Sequence, residues 1–419
     1  MLLARKTTIS ISGDYANIIG HMCYAAYKLW NICNYERMHH EELNLPSYPN
    51  WYYQKKAHKD NIWYKQLPAQ TAQEVCKQLD GGWKSFFKLK KTHGIESPKP
   101  PRFKHENMEI NFIQNGVVHQ KGSDTIRLSL SKSLKEFMAD RYDIHETYLY
   151  LKNRIFENMD TIKQIKIYPP ANGTCVVIVT YEIPDVQSLP DNGKYLSIDL
   201  GVHNLLTCYN SDTGETFIAG RKYLALCHYY FKEIARVQSQ WSTQQSRKGI
   251  KYPKPSKHIN RLYKRKNDAI RDYLHKVTRS IVTYCKEQDI HTVVIGDITG
   301  IREDKDFYND STNQEFHALP YKKIYQMLRY KLEMKGINFV MRPEYYSSQT
   351  SPLMPEVNEA NAQKSNRVYR GLYQDGTQFW NADCVGAFNI LRLYFQTNNI
   401  SIKLNPFGIK NPYVLKVAA

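Results

Sequence analysis

Short stretches of alternating apolar and polar residues predict a β-rich first region, which ends near residue 190. Residues 3–12 alternate with a period of two, as expected for a half-buried strand. The clearest later runs of the same type are IRLSL, IKQIKIY and CVVIVTYEI, at residues 126–130, 162–168 and 175–183. The Pro- and Gly-containing segment PDVQSLPDNGK, residues 184–194, then interrupts the pattern and predicts a domain boundary.

Helical periodicity appears twice within this first region. A helix is predicted near residues 14–40, with Asp14 as its N-cap. A second helix is predicted over residues 67–91, with an interruption at Gly81 and Gly82. The Pro-rich segment 94–104 follows as a connector.

The second region predicts buried strands that each lead to an acidic residue. The apolar runs at residues 194–209, 291–301 and 336–350 contain Asp199, Asp297 and Glu344 at predicted strand ends. A fourth acid, Asp383, begins an amphipathic helix that has Phe388, Leu391 and Phe395 on its apolar side. Each acid alone is typical of a turn or a helix cap, but buried carboxylates at the ends of core elements need a partner or a metal ion.

Positive charge is concentrated between two of these strands. Residues 221–279 contain sixteen Lys and Arg residues and three acids, which gives +13 of the chain's net +18. Apolar residues at helical spacing predict two helices, near residues 222–245 and 257–287, around the breaker 246–256. A helical hairpin with one cationic face indicates contact with a nucleic-acid backbone, and a solvated surface is the alternative.

Composition narrows the class of protein. The chain has 419 residues, 42% of them hydrophobic, so it can bury real cores and is expected to form two or three domains. It has no apolar run of membrane-spanning length and no apolar core of a secretion signal, so we expect a cytoplasmic protein without a membrane partner. The eight cysteines are scattered without a C-x-x-C pair, which disfavours disulfides and a zinc site.

Four motifs in the second region resemble one family. SIDLGVHN, VVIGDITGIRE, EYYSSQTSP and NADCVGAFNIL are similar, in order and spacing, to the split RuvC nuclease of TnpB proteins and of the miniature type V CRISPR effectors. Upstream, LPAQTAQEVCKQLDGGWKSFFK and PPRFK are similar to the helical and connector motifs of the same family. The resemblance covers about residues 60–395.

The resemblance implies a fold and a domain organisation. Residues 1–190 would form a wedge-like β-barrel with a helical recognition insert at about 14–100. Residues 191–400 would form an α/β, RNase H-like RuvC domain that carries the cationic hairpin 221–287 and a target-nucleic-acid-binding insert at about 346–379. Residues 401–419 would be a C-terminal tail.

The function implied by the resemblance is RNA-guided cleavage of DNA, dependent on two Mg²⁺ ions. The partners would be a guide RNA and double- and single-stranded target DNA, and a homodimer on one guide RNA would help so short a chain to cover a heteroduplex of ~20 base pairs. A CRISPR defence effector is favoured over a transposon-encoded TnpB nuclease. A nuclease-inactive RNA-guided repressor and a RuvC-like nuclease or transposase without a guide are further alternatives.

The second catalytic acid departs from the family pattern. The family usually has Glu immediately before an Asp in the second strand, whereas this chain has Gly296 before Asp297. Neighbouring strand residues face opposite sides, so Asp297 does not simply replace its neighbour. Some TnpB-like members resemble this chain in carrying an acid before the Y-x-S-Q stretch, here Glu344. We therefore predict Asp199, Glu344 and Asp383 as catalytic metal ligands, with Asp297 as the alternative second acid and an inactive site as the remaining alternative.

The zinc ribbon of the family is also missing. Ser351 and Met354 stand where the family has its first cysteine pair, so no zinc is expected and the insert must fold by packing or by nucleic-acid contact. Arg370 resembles a cationic residue beside the family's active site that could clamp the scissile phosphate, although a surface arginine is an equal alternative. The other residues predicted to bind nucleic acid are Lys84, Lys88, Lys90, Lys91, Arg102, Lys104, Arg247, Lys248, Arg261, Lys264, Arg265, Arg271 and Arg367.

Overall fold

The protein divides into two compact units, Met1–Asp185 and Val186–Ala419. The computed structural model describes residues 1–45, 48–92, 96–299, 318–369 and 371–417. The division falls inside the segment 184–194. Among the described helices, none carries an apolar stretch that would span a bilayer. All eight cysteines are buried as free thiols.

The first unit combines two antiparallel sheets with helices. Its strands are β1 (Leu2–Ser10), β2 (Ile110–Ile113), β3 (Val117–His119), β4 (Thr125–Ser129), β5 (Tyr148–Lys152), β6 (Thr161–Ile167) and β7 (Thr174–Glu182). Its helices are α1 (Gly13–Met38), α2 (Trp51–Ala57), α3 (Ile62–Lys65), α4 (Ala69–Thr92) and α5 (Lys132–Tyr142). One sheet has the order β1-β7-β6-β2 and the other the order β3-β4-β5, so the described strands pair as two sheets and not as one closed barrel.

The start of α1 differs from the predicted one. Ser12, not Asp14, is the N-cap, and its Oγ accepts a hydrogen bond of 3.2 Å from the Tyr15 backbone N–H. Asp14 lies in the first turn, where its negative charge interacts favourably with the helix dipole. Both residues are good N-cap types, so the sequence pattern alone does not select between them.

The break predicted in α4 is wrong, since the helix runs without interruption from Ala69 to Thr92. The helix buries Val75, Leu79 and Trp83 in the core of the unit. A Cβ on Gly82 would lie only 3.2 Å from Cγ of Pro101, so this glycine allows the Pro-rich connector to cross the helix closely. Core packing thus offsets the low helix propensity of two glycines.

The second unit is built on one six-stranded mixed sheet. The described strands of the unit are β8 (Tyr195–Leu200), β9 (Leu206–Asn210), β10 (Thr216–Ala219), β11 (Thr292–Asp297), β12 (Asn338–Pro343), β13 (Leu372–Asp375), β14 (Gln378–Asn381) and β15 (Tyr413–Val414). The sheet order is β12-β11-β8-β9-β10-β15, and β13 pairs with β14 in a separate hairpin. β8, β11 and β12 are parallel, so their carboxyl ends lie at one edge of the sheet.

Four helices complete this unit in its described part. They are α6 (Tyr223–Ser246), α7 (Lys257–Glu287), α8 (Tyr321–Glu333) and α9 (Ala382–Asn398). The pair α6 and α7 forms the hairpin that the sequence predicts. The amphipathic interpretation of α9 is wrong, because all residues of Ala382 to Leu391 except Asp383 are buried. This helix packs on the sheet, where Ser197 Oγ donates a hydrogen bond of 2.6 Å to the Ala387 carbonyl.

Candidate active site

Asp199 lies near the carboxyl end of β8, directly beneath helix α9. A Cβ on Gly386 of this helix would be 3.0 Å from Asp199 Oδ2, so a larger residue here would press on the carboxylate. Burial, together with the charges of Glu344 and Asp383, raises the pKa of Asp199 well above its ordinary value, and Arg367 partly opposes this rise. The carboxylate therefore lies in a site that disfavours its negative charge unless a cation is nearby.

Glu344 follows the last residue of β12 and reaches across to the neighbouring strand. A Cβ on Gly296 would come within 2.2 Å of Glu344 Oε1, so the Glu344 carboxylate occupies the space that a side chain at position 296 would need. Glu344 Oε1 is buried and has no hydrogen-bond partner among the described residues. Burial and the charge of Asp297 raise the pKa of Glu344 from its ordinary value near 4.5 to about 7.

Asp297, the alternative second acid, is engaged in a local turn. Its Oδ1 accepts hydrogen bonds from the backbone N–H of Thr299, at 2.9 Å, and from the Thr299 hydroxyl. This is the ordinary role of an Asp after a strand. The geometry therefore favours Glu344 over Asp297 as the second acid, since Glu344 has the unsatisfied oxygen and fills the space at Gly296.

Asp383 lies in the first turn of α9, close enough for its charge to act on Asp199. Asn381 caps this helix, and its Oδ1 accepts a hydrogen bond of 3.1 Å from the Asp383 backbone N–H. The Asp383 carboxylate accepts a hydrogen bond of 2.8 Å from Asn204 Nδ2, in the loop after β8. Its other oxygen is 4.0 Å from an Arg367 guanidinium nitrogen. Asn204 and Arg367 thus orient and partly neutralise this carboxylate.

The three acids are chemically suited to a divalent cation. They supply oxygen ligands, which Mg²⁺ prefers, and an added positive charge would relieve both the raised pKa values and the unpartnered Glu344 oxygen. Within the described parts of the chain, no group of three His, Cys, Asp and Glu side chains is close enough to form a ready-made metal site. The charges of Glu344 and Asp383 act on Asp199, so these acids are neighbours, but their role as metal ligands stays a prediction.

Helix α9 also holds the insert that lacks the zinc cysteines. Asn389 Nδ2 donates hydrogen bonds of 2.7 Å to the carbonyls of both Ser347 and Thr350. Arg392 donates to the Ser351 carbonyl at 3.3 Å and also to the Met354 carbonyl, which are the two positions where the family has cysteines. The insert therefore folds by packing and hydrogen bonding, one of the two possibilities that the sequence left open.

Aromatic packing completes the insert. Tyr373 is fully buried, and its hydroxyl donates a hydrogen bond of 3.0 Å to the Gln349 carbonyl. Asn366 Nδ2 donates to the same hydroxyl at 3.3 Å, and the neighbouring Trp380 ring is 6.2 Å away. Arg370, the predicted phosphate clamp, lies outside the described residues.

The predicted cations on the hairpin are exposed. Arg247 and Lys248 lie where α6 ends, and Arg261, Lys264 and Arg265 are exposed on α7. Arg271 is exposed as well, but it pairs with Asp268 at 2.9 Å.

The predicted cations of the first unit are exposed too, whereas the aromatic residues among them are partly buried and partly exposed. Trp83 is buried, and its Nε1 donates a hydrogen bond of 2.8 Å to Asn34, whereas Phe87 is exposed. Trp83 therefore belongs to the core of the first unit. The Lys104 ammonium lies 4.9 Å over the Trp30 ring. The exposed predicted cations of this unit are Lys84, Lys88, Lys90, Lys91, Arg102 and Lys104.

Sequence reasoning missed Asn204, Asn389 and Arg392. Asn204 belongs to the quoted motif SIDLGVHN, so its position after a strand-ending acid was an available signal. Asn389 and Arg392 are polar residues on a mainly apolar helix. Their spacing of three residues places them on one face, which is the signal that could have indicated a shared binding role.

Two family models match the chain, mainly within the second unit. Residues 178–302 match the family OrfB_IS605, described as a probable transposase, and residues 321–390 match the Cas12f1-like TNB domain. These matches confirm the resemblance to TnpB-like proteins and to miniature type V CRISPR effectors. No curated protein sequence matches the chain.

Solved structures of Cas12 effectors are similar to the chain over nearly its whole length. A Cas12f1–sgRNA–target DNA complex has 15% identity and a TM-score of 0.37, with 93% of this chain and 98% of that chain covered. The mini-RNA-guided endonuclease CRISPR-Cas_phi3 has 10% identity and a TM-score of 0.49, with 94% and 92% covered. CasPhi-2 bound to crRNA and phosphorothioate DNA has 9% identity and a TM-score of 0.43, with 96% and 93% covered.

Proposed function

We propose that the protein is an RNA-guided DNA endonuclease that hydrolyses phosphodiester bonds at one RuvC centre of RNase H-like fold. The observation that carries this proposal is that the charges of Glu344 and Asp383 both act on the buried Asp199 carboxylate, which makes the three acids neighbours. The match to the OrfB_IS605 and Cas12f1-like TNB models supports it. A strongly basic chain around a small acidic centre also suits a polyanionic substrate.

The roles of the residues follow from their positions. Asp199, Glu344 and Asp383 would hold two Mg²⁺ ions, which when bound supply electrostatic stabilisation to the attacking and leaving oxygens. Asn204 keeps the Asp383 carboxylate oriented. Arg367 is partly exposed beside Asp383, so its guanidinium can contact a substrate phosphate as well as the carboxylate. Arg370 is proposed as a second phosphate ligand.

The exposed cations of α6, α7 and α4 would hold the backbones of a guide RNA and of target DNA. Base pairing would then supply sequence specificity, while the protein contacts the backbones. We further propose that the two sheets of the first unit have a wedge-like role, that two copies bind one guide RNA, and that the protein acts in the cytoplasm of a prokaryotic cell.

A CRISPR defence effector is the favoured context, and a transposon-encoded TnpB nuclease is equally compatible with the two family models. A nuclease-inactive repressor is supported by one observation, the absence of an acid at Gly296. The Glu344 carboxylate in the space at Gly296 argues against that alternative.

Cleavage by variants of the purified complex tests the proposal. The RNA that co-purifies with the protein is sequenced, and plasmids that carry its complement beside a randomised flank are incubated with the complex and Mg²⁺. We expect cleavage by the wild type and by Asp297→Asn, and a loss of at least about a hundredfold for Glu344→Gln and Asp199→Asn. Glu356→Gln, which changes an exposed acid of the insert, is the matched control.

Each outcome discriminates among the candidates. Cleavage that survives in Glu344→Gln but not in Asp297→Asn would identify Asp297 as the second catalytic acid. Target binding without any cleavage in Mg²⁺ would identify a repressor. Cleavage of plasmid by RNA-free protein would exclude a guided mechanism.

A further inference from the structure

The first unit contains a cavity of about 720 Å³ between three helices. Its walls come from α1, from α3 with the following Gln66, and from the end of α5. This volume is within the range of small-ligand sites and exceeds what one nucleobase requires. The residues of the cavity are separate from the acidic site and from the cations predicted to bind nucleic acid.

Aromatic rings form the walls of this cavity. His21 stacks on Phe137 with ring centroids 4.2 Å apart and planes at 23°. Tyr24 meets Trp63 edge to face at 5.3 Å, and Tyr142 is 49% exposed at the rim. Aromatic rings that line a cavity offer faces on which an unstacked base can be held.

The floor of the cavity carries unsatisfied polar atoms. Gln66 is only 7% exposed, and its Nε2 donates a hydrogen bond of 3.3 Å to the Ser133 carbonyl. Its Oε1 and the Nε2 of His21 are buried and make no hydrogen bond of normal geometry to the described residues, although the Gln66 side chain is close enough to His21 to raise the pKa of that ring in part. Burial lowers the pKa of His21, so its ring is neutral at neutral pH and can donate or accept a hydrogen bond. Buried polar atoms of this kind are normally satisfied by protein, ordered water or a ligand, so these two atoms are available to a ligand that displaces water.

Positive charge lies beside the aromatic walls. Arg141 lines the cavity, and the Lys28 ammonium lies 5.2 Å over the ring of Tyr24. A nucleotide whose base enters the cavity would leave its phosphate outside, where such cations can bind it.

We propose that this cavity binds one unpaired nucleobase that a single strand of nucleic acid turns out of its stack. The base would stack against the aromatic walls, with its polar edge on Gln66 Oε1 and His21 Nε2. Adenine and cytosine each place an amino donor next to a ring-nitrogen acceptor, which matches an acceptor at Gln66 and a donor at His21. Uracil and thymine lack that amino group, so they would bind more weakly.

Fluorescence of 2-aminopurine, an adenine isomer that is quenched on stacking, tests this site. Full-length protein in EDTA is titrated with eight-nucleotide single strands that carry one 2-aminopurine, in RNA and in DNA. We expect quenching, and competition by unlabelled strands with adenine or cytosine at that position about tenfold better than with uracil. Quenching by the RNA strands or by the DNA strands then identifies which nucleic acid supplies the base.

Blocking the mouth of the cavity supplies the matched comparison. Asn17 is exposed on α1 and lines the cavity, so Asn17→Trp would fill its entrance, while Asp14→Trp on the same helix leaves the cavity open. We expect Asn17→Trp to weaken the quenching interaction about tenfold and Asp14→Trp to leave it unchanged. Tyr142→Ala, at the exposed rim, should weaken it as well.

Equal binding by the two tryptophan variants, or no base preference in either arm, would overturn the proposal. The titrations contain no divalent cation, so a failure of metal-dependent cleavage does not affect them. Conversely, cleavage that persists while quenching is absent would overturn the base site and leave the nuclease proposal intact.

Discussion

At residue 296, where the resembling family has a glutamate, this chain has a glycine, and the carboxylate of Glu344 takes the space of the missing side chain. β11 and β12 are parallel neighbours, with Gly296 paired to Arg342, so an acid two residues further along the chain, just past the end of β12, can reach the same place. A larger residue at 296 would displace Glu344. Position 296 and position 344 therefore share one space in the fold, although 47 residues separate them.

Asp199 is expected to reduce stability whenever no cation is bound. Burial raises its pKa, so the folded protein resists its ionisation at neutral pH. In EDTA at pH 8, Asp199→Asn should raise the melting temperature by about 2–4 °C. Mg²⁺ should raise the melting temperature of the wild type and not of the variant, as scanning calorimetry can measure. An equal Mg²⁺ effect in both proteins would contradict the assigned ligand.

Lys331 predicts a pH dependence outside the acidic site. Its ammonium donates to the His275 carbonyl at 2.9 Å and to Thr278 Oγ1 at 2.7 Å, and burial lowers its pKa to about 8. The unfolded value is ~10.4, so between these values the unfolded chain binds more protons and stability rises with pH.

The comparison for Lys331 is with variants that cannot titrate there. The melting temperature of the wild type minus that of Lys331→Met should increase between pH 8 and pH 10. Below pH 8 this difference should stay constant. Lys323→Met, an exposed position on the same helix, should show no such trend. A parallel course for Lys331→Met up to pH 10 would show that the pKa is not lowered.

At the scale of elements, α9 connects the acidic site to the insert at residues 346–379. Its first turn carries Asp383, its Gly386 lies against Asp199, and its Asn389 and Arg392 bind backbone carbonyls of the insert. Burial lowers the pKa of Arg392 to about 10, so it stays charged at neutral pH. A charged guanidinium that donates to two carbonyls can hold in place a loop that a zinc ion holds in the family this chain resembles.

Arg392→Met should release the insert and reduce stability by about 1.5–3 kcal/mol, the range for hydrogen bonds to charged groups. Hydrogen exchange should then increase across residues 347–362. Arg392→Lys should recover only part of the loss, since an ammonium lacks the planar fork. Arg236→Met, on the exposed face of α6, is the control.

Treatment with a zinc chelator adds an independent measurement on the same element. We expect no change in melting temperature for the wild type, because Ser351 and Met354 offer no thiolates. A drop on chelation would show that another ligand set holds a metal in the insert.

At the scale of the whole molecule, the uneven distribution of charge predicts where nucleic acid would bind. The chain carries +18, and the segment that includes α6 and most of α7 contributes the larger part. Backbone contacts release counterions, so affinity and cleavage should both fall steeply with salt.

Replacing Arg261, Lys264 and Arg265 with Gln tests where that charge acts. The slope of log affinity against log salt should decrease by about 2–3 for strands bound by these cations. A control triple variant, in which Lys121, Lys132 and Lys152 become Gln, makes the same change in net charge and should leave the slope unchanged. These control lysines are exposed residues of the first unit. Equal slopes for both triple variants would contradict a binding role for the hairpin.

The sequence by itself predicted most elements of the second unit. The apolar runs around Asp199, Asp297 and Glu344 became β8, β11 and β12, because strand periodicity and burial are local properties of the chain. The helix pair 222–245 and 257–287 was predicted to within a residue of α6 and α7 for the same reason. Local signals failed at Gly81 and Gly82, where core packing preserved the helix.

Only the tertiary structure decided how distant residues meet. The register of β11 on β12 placed Glu344 at Gly296, and the close approach of α9 placed Gly386 on Asp199. The bonds from Asn204 to Asp383 and from Arg392 to the insert likewise join residues that are far apart in sequence. Such contacts depend on how strands pair and helices pack, and no local pattern of residue types encodes that geometry.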